Sequence, residues 1–187
     1  MPRVIAGCCG GIPLEAPKGK HTRPTTDKVK EALFSILQAK LNDANFLDLF
    51  AGCGQNGIEA VSRGAKKAYL LEENKACQLV IQKNLQKTQL TDKINLIRGD
   101  VLKGLRRLGI DEISFSIIYM DPPYDLVQNY LQKSIPIIQE YKMLENGGVL
   151  IVEHRSSDKL DENVMNLKLY RCCKYGSSML TFYINKS

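Results

Sequence analysis

From position 45 to position 152 the sequence alternates apolar runs of strand length with stretches of helical spacing, and that alternation limits the fold class. Residues 45–50, 66–72, 94–98, 114–120 and 149–152 read as strands. Helices are predicted between them over 57–63, 74–88, 101–108 and 125–140. In the second helix Ala76, Leu79, Val80, Asn84 and Leu85 are spaced for one face, and in the last Leu126, Tyr130, Leu131, Ile137 and Ile138 are. Pro136 is expected to kink or break that last helix, because proline lacks an amide donor and crowds the carbonyl one turn back. Repeated strand–helix units imply a parallel sheet with helices on both faces. Residues 167–170 and 179–184, with Lys174-Tyr175-Gly176 between them, signal a hairpin, so the sheet should end in an antiparallel edge. Ligands of such sheets bind outside the C-terminal ends of the strands.

Residues 1–26 show no sustained periodicity and are punctuated by Gly7, Gly10, Gly11, Pro13, Pro17, Gly19 and Pro24. They are assigned to a basic arm with a small hairpin of Val4-Ile5 against Ile12-Pro13-Leu14. Residues 27–187 are assigned to one domain, opened by a helix over 28–41 with Val29, Leu33, Ile36, Leu37 and Leu41 on its apolar stripe. Residues 1–40 hold seven Lys/Arg against three Asp/Glu, whereas residues 41–150 hold thirteen of each. A neutral body with a basic arm fits a polyanion such as nucleic acid, and it equally fits a solvated tail.

The chain has no apolar run of the ~18 residues needed to cross a bilayer, and Met1-Pro2-Arg3-Val4-Ile5-Ala6-Gly7 lacks the apolar core of a secretory signal. A cytoplasmic location is expected. Six cysteines occur as two vicinal pairs and two singles, with no C-x-x-C and only His21 and His154 as histidines. Reduced thiols and no metal site follow.

The candidate chemistry lies at the strand ends. Asp48-Leu49-Phe50-Ala51-Gly52-Cys53-Gly54 closes the first strand and opens a helix. Glycines there permit a tight turn and close approach of a ligand to the backbone. The acid ahead of them disfavours a pyrophosphate and favours a ligand with positive charge. Glu72 ends the second strand, at a spacing suited to accept both hydroxyls of a ribose. Asp100 ends the third strand, where it could accept from an adenine amine with Val101 against the ring, or cap the next helix. Asp121-Pro122-Pro123-Tyr124 ends the fourth. Its prolines stop the strand and stiffen the backbone, so a carboxylate, a carbonyl and an aromatic ring are held in fixed relation. Such a set can grip a flat heterocycle and accept from its amino group. Jointly the four acids describe a nucleoside cleft with an electropositive group beside it, which fits S-adenosylmethionine.

These residues resemble the cofactor and catalytic motifs of class I S-adenosylmethionine-dependent methyltransferases. The Asp-Pro-Pro-Tyr form resembles that of enzymes that methylate exocyclic amino nitrogens. Arg3-Val4-Ile5-Ala6-Gly7 and Thr22-Arg23-Pro24-Thr25-Thr26-Asp27-Lys28-Val29-Lys30-Glu31-Ala32-Leu33-Phe34 look like the N-terminal signature of the RsmD family, guanine-N2 methyltransferases of small-subunit ribosomal RNA. Gly57-Ile58-Glu59-Ala60-Val61-Ser62-Arg63-Gly64-Ala65 continues the similarity. The resemblance implies a Rossmann-like sheet and cofactor contacts at Asp48, Ala51, Gly52, Gly54, Glu72, Asp100 and Val101. It places catalysis at Asp121, Pro122 and Tyr124, and makes ribosomal RNA or the small subunit the partner; a monomer is expected. Arg23, Lys28 and Lys30, with Lys18 and Lys20, are the expected phosphate contacts. Two alternatives stand beside this: an adenine-N6 methyltransferase on DNA or other RNA, and a non-catalytic RNA-binding factor on the same scaffold. The chain departs from the family pattern at Cys8-Cys9-Gly10-Gly11-Ile12, where basic or aromatic residues are usual, and at Cys53, a small residue of the glycine turn.

Overall fold

The computed structural model describes residues 1–17 and 27–186. They divide into two compact units, Met1–Asp100 and Val101–Ser187.

The first unit contains α1 (Asp27–Leu41), β1 (Asn45–Asp48), α2 (Gln55–Ser62), β2 (Lys67–Glu72), α3 (Lys75–Thr88) and β3 (Ile94–Arg98). Its strands are parallel in the order β3-β2-β1, in register from Asn45↔Lys67 to Asp48↔Leu70 and from Ala68↔Ile94 to Glu72↔Arg98. The second unit contains α4 (Val101–Ile110), β4 (Phe115–Met120), a 3-10 turn (Tyr124–Leu126), α5 (Val127–Glu140), β5 (Leu144–Arg155), β6 (Asn163–Val164), β7 (Leu167–Tyr175) and β8 (Ser178–Asn185). Here the order is β4-β5-β8-β7-β6, with β4 and β5 parallel and the remaining pairs antiparallel. The expected α/β class holds, with parallel pairing first and antiparallel strands last. Strand β4 is buried along nearly its whole length and β5 from Gly148 to His154, which explains the apolar runs 115–120 and 149–152.

Three local expectations are corrected. Of the kink or break expected at Pro136, the break does not occur: the residue lies inside α5. It forfeits a single backbone bond, while Leu131, Ile135, Ile137 and Ile138 stay buried and keep the helix seated. The packed face of α3 is Cys77, Gln78, Ile81, Asn84, Leu85 and Thr88, whereas Leu79 is 61% exposed. Polar side chains won that face because each finds backbone partners. Gln78 Nε2 donates to the carbonyls of Glu72 at 2.8 Å and Glu73 at 3.2 Å. Asn84 Nδ2 donates to the Cys53 and Glu15 carbonyls at 2.9 and 3.0 Å, and its Oδ1 accepts from Glu15 N. Leu126, placed on the face of the last helix, falls in the 3-10 turn ahead of α5 and is 41% exposed, and Val127 takes the buried place.

Residues 1–17 are fastened to the first unit. Arg3 bridges antiparallel to Pro13, and Val4 and Leu14 are fully buried. The fastening converges on Glu59 of α2, which has no exposed surface. Its carboxylate accepts from Ile5 N at 2.7 Å, Ala6 N at 3.0 Å and Arg63 Nε at 2.6 Å, and pairs with Lys30 Nζ of α1 at 3.5 Å. Lys30 is also fully buried and donates to the Arg3 carbonyl. Burial holds the Lys30 ammonium below its ordinary pKa, and Glu59 opposes that shift. Ser62 completes the seam by accepting from Cys9 N at 2.9 Å and donating to the Ala6 carbonyl at 2.6 Å. Gly7 has φ +84° and a Cβ there would sit 1.8 Å from Ser62 O, so only glycine fits. Truncating one partner of a buried ion pair leaves the other charge uncompensated. Glu59→Ala is therefore expected to lose about 3–5 kcal/mol in urea unfolding. A loss below about 1 kcal/mol would show that the carboxylate does not carry the seam.

Candidate functional site

In the first unit the glycine turn follows β1 directly. Asp48 is the last residue of β1 and is fully buried. Its Oδ1 accepts from Phe50 N at 3.1 Å, while Oδ2 is buried with no hydrogen-bond partner. Burial pushes its carboxyl up to about 7, the Phe50 amide opposes this, and the Glu72 charge adds to it. The turn closes with Gly54 N donating to Ala51 O at 2.7 Å, and Gly54 (φ +80°) caps α2. Gly52 has φ +56°, and a Cβ there would meet nothing within 4 Å, so the backbone faces open space. Glu72, the last residue of β2, is tied to this turn: Oε2 accepts from Gly52 N at 2.7 Å and Oε1 from Asn74 N at 2.8 Å. Desolvation raises its pKa, and those amides pull it back. Thus Asp48, Ala51, Gly52, Gly54 and Glu72 converge on one turn. Asp100 is exposed two residues beyond β3, in the position of a cap for α4. Val101 opens α4 and is buried.

The turn also holds groups that the sequence reading missed. Gln55 Oε1 and Asn56 Oδ1, the first two residues of α2, are buried acceptors without a hydrogen-bond partner. Two amides where a helix start behind a glycine turn would otherwise bury apolar side chains were the available signal. Cys53 is buried, its carbonyl accepts from Asn84, and burial raises its thiol pKa, which keeps it neutral. An orphaned carboxylate oxygen, an open glycine backbone and a second carboxylate fit a cationic nucleoside ligand such as S-adenosylmethionine.

In the second unit Asp121 follows β4 immediately and is half-buried; Pro122 is buried. Pro123 (φ −50°, ψ 132°) is extended, and its carbonyl accepts from Leu126 N at 2.8 Å, which forms the 3-10 turn that carries Tyr124. The Tyr124 hydroxyl lies 3.1 Å from Ser178 Oγ of β8. The Arg155 guanidinium sits over the Tyr124 ring, 5.3 Å from its centroid, and pairs with Asp125 at 3.0 Å. The ring is thus fixed at its hydroxyl and on one face. His154, the residue before Arg155 in β5, is buried, with Nε2 2.7 Å from Thr181 Oγ1, and burial lowers its pKa.

Of the expected phosphate contacts, Lys28 is exposed on α1. Lys30 is corrected: buried against Glu59, it offers no charge to a phosphate. Arg23, Lys18 and Lys20 lie outside the described residues. Among the described residues no cluster of His, Cys, Asp or Glu could hold a metal, and no helix is long and apolar enough to cross a membrane.

The family described as "Conserved hypothetical protein 95" matches residues 2–184. The Bacillus subtilis (strain 168) protein named "Putative rRNA methyltransferase YlbH" is 36% identical over 181 residues, covering 97% of each chain. The "Ribosomal RNA small subunit methyltransferase D" of Escherichia coli (strain K12) is 31% identical over 169 residues, covering 90% of this chain and 82% of that one. The solved structure titled "Putative methyltransferase yhhF from Escherichia coli" has a TM-score of 0.85 at 30% identity, covering 98% of this chain and 97% of that one.

Asp48 makes the stability of the free protein depend on pH. Its folded pKa of about 7 lies above the ordinary value of 3.8, so stability is intact below the ordinary value and lost as pH rises toward 7. Asp48→Asn removes that loss. Its thermal midpoint is expected to exceed the wild type's at pH 8, and the difference should vanish near pH 4. A variant no more stable at pH 8 than at pH 4, relative to wild type, would place the buried carboxylate's ionisation elsewhere.

Proposed function

Because the chain belongs to the family described as conserved hypothetical protein 95, the RsmD family, we propose that it is an S-adenosylmethionine-dependent methyltransferase of ribosomal RNA. Its substrate group is the exocyclic N2 amine of a guanine in small-subunit RNA. It acts in the cytoplasm, as a monomer, on RNA carried by the small subunit. The observation that carries this reading is similarity to rRNA methyltransferases over nearly the whole chain, together with Asp121-Pro122-Pro123-Tyr124 at the end of a buried strand.

Asp48, Ala51, Gly52, Gly54 and Glu72 would hold the cofactor in the first unit, with Asp100 and Val101 on its adenine. When bound, S-adenosylmethionine supplies a methyl group activated by a positively charged sulfur. The unpartnered Oδ2 of Asp48 favours that cation once ionised. Glu72, whose carboxylate accepts from the Gly52 and Asn74 amides, would take the ribose hydroxyls on its remaining lone pairs.

The guanine amine is a weak nucleophile because its lone pair is delocalised into the ring. The Asp121 carboxylate and the Pro122 carbonyl accept its two N–H bonds and draw the nitrogen toward tetrahedral geometry. As the nitrogen gains its methyl group it gives up a proton, for which Asp121 is the acceptor at hand. Tyr124 stacks on the base, worth ~1–3 kcal/mol by analogy with single-strand binders. A paired base has to be unstacked and rotated out to reach it. Positioning supplies most of the rate.

Asp121→Ala is expected to lower methyl transfer roughly 10²–10³-fold, the cost of one lost polar contact in an oxyanion hole. Cofactor binding by calorimetry should persist. Labelled-methyl assays on naked DNA, free RNA and assembled small subunits separate the readings. Label in DNA would support an adenine-N6 enzyme, and cofactor binding without label in any substrate a non-catalytic factor.

A further inference from the structure

The β7–β8 hairpin carries a concentration of charge that the functional reading leaves unused. Between Asn163 and Asn185 the chain has Lys168, Arg171 and Lys174 and no Asp or Glu. The β7–β8 register shifts between Leu169 and Arg171, so Tyr170 and Arg171 both stand opposite Phe182. The Tyr170 ring meets Phe182 edge-on with centroids 6.0 Å apart and remains 45% exposed. Arg171 Nε donates to Cys173 Sγ at 3.2 Å, which sets both on one face, and strand alternation adds Tyr175. Lys168 pairs with Ile184, two residues from Phe182, and joins the same face. Lys168, Tyr170, Arg171 and Tyr175 therefore form one basic and aromatic strip.

The strip leads to the tetrapeptide within the second unit. Tyr175 pairs with Ser178, and Ser178 pairs on its other side with Arg155. Those two residues fix Tyr124, through its hydroxyl and over its ring. Beyond Lys168, β7 has no strand on its outer edge among the described residues, because β6 reaches only Leu167 and Lys168. Charge alone on such an edge would be explained as protection against pairing with another sheet. That explanation accounts for the lysines, lysine being the usual guard of an edge, but not for a half-exposed tyrosine beside an arginine on one face. Basic residues interleaved with aromatic rings are the pattern that binds single-stranded nucleic acid.

We propose that this face of the hairpin is the track for the RNA strand next to the target base. Lys168 and Arg171 take phosphates, and Tyr170 and Tyr175 offer their rings to unstacked bases. The inference rests on the ribosomal RNA reading above and assigns it a docking surface. The test compares wild type with Lys168→Gln/Arg171→Gln, Tyr170→Ala and Tyr170→Phe, binding an unmodified small-subunit ribosomal RNA transcript over a salt series. Each phosphate contact contributes roughly 0.7–0.9 to the slope of log K against log salt. The double variant should flatten that slope by roughly 1.4–1.8. Tyr170→Ala should weaken binding about tenfold at fixed salt, and Tyr170→Phe should restore it. KM for RNA should rise while kcat and cofactor affinity stay put, and the thermal midpoints of the double variant and of Tyr170→Phe should stay put as well.

An unchanged slope and affinity in a wild type that binds RNA would overturn the track alone. So would an equal loss from Lys133→Gln/Lys142→Gln on and just after α5, which would make the effect one of net charge. A loss seen with assembled subunits but not with free transcript would also overturn it, and would point to a ribosomal protein. A wild type that binds neither transcript nor subunit would sink the functional reading first, and the track with it.

Discussion

A carboxylate without exposed surface, Glu59, ties three separate pieces of the first unit together. It takes two backbone amides from the N-terminal segment, the Lys30 ammonium from α1 and the Arg63 guanidinium from its own helix. Buried charge is costly unless paired and hydrogen-bonded, and here every neighbour needs the others. Lys30 is buried only because Glu59 and the Arg3 carbonyl receive it. The N-terminal segment takes part of its fixed path from the two amides that end there, beside its bonds to Ser62 and Asn84. The glycine turn depends on the same helix, since α2 begins at Gln55 directly after Gly54.

The acids at the strand ends differ in environment, and the difference sorts their work. Asp48 is sealed, with one oxygen unpartnered and its proton retained to near neutrality in the free protein. Glu72 is moored by two amides and braces the turn. Asp121 is half-buried and followed by two prolines, so its direction is set by a stiff backbone. Asp100 is exposed. The sealed one keeps a proton whose loss would be coupled to a cation arriving beside it.

Strand and helix order was legible because β4 and β5 are buried on both faces and their apolar runs are continuous. The turn at Asp48–Gly54 was legible because its glycines occupy positive φ. The face of α3 was not. Gln78 and Asn84 look like surface residues, and only the carbonyls of Glu72, Cys53 and Glu15 make them interior. Lys30 misled for the same reason: a lysine in a basic N-terminal segment reads as surface until its partner, 29 positions on, is known to be Glu59. Hydropathy reports the cost of burying a side chain and is blind to the partner that offsets it. The clasp on Tyr124 escaped notice likewise, because Arg155 and Ser178 belong to strands remote in sequence.

Strand β8 follows β6 and β7 in the chain yet lies between β5 and β7 in the sheet. Synthesis runs from N- to C-terminus, so β5 emerges with an open flank, apolar from Val149 to Val152, and waits for a partner made more than twenty residues later. Pairings so distant along the chain form slowly, and an unpaired apolar edge invites association with other chains. The second unit therefore has an interval during its birth when Val149 to Val152 are exposed to whatever else is nascent, and a chaperone's attention would fall there first.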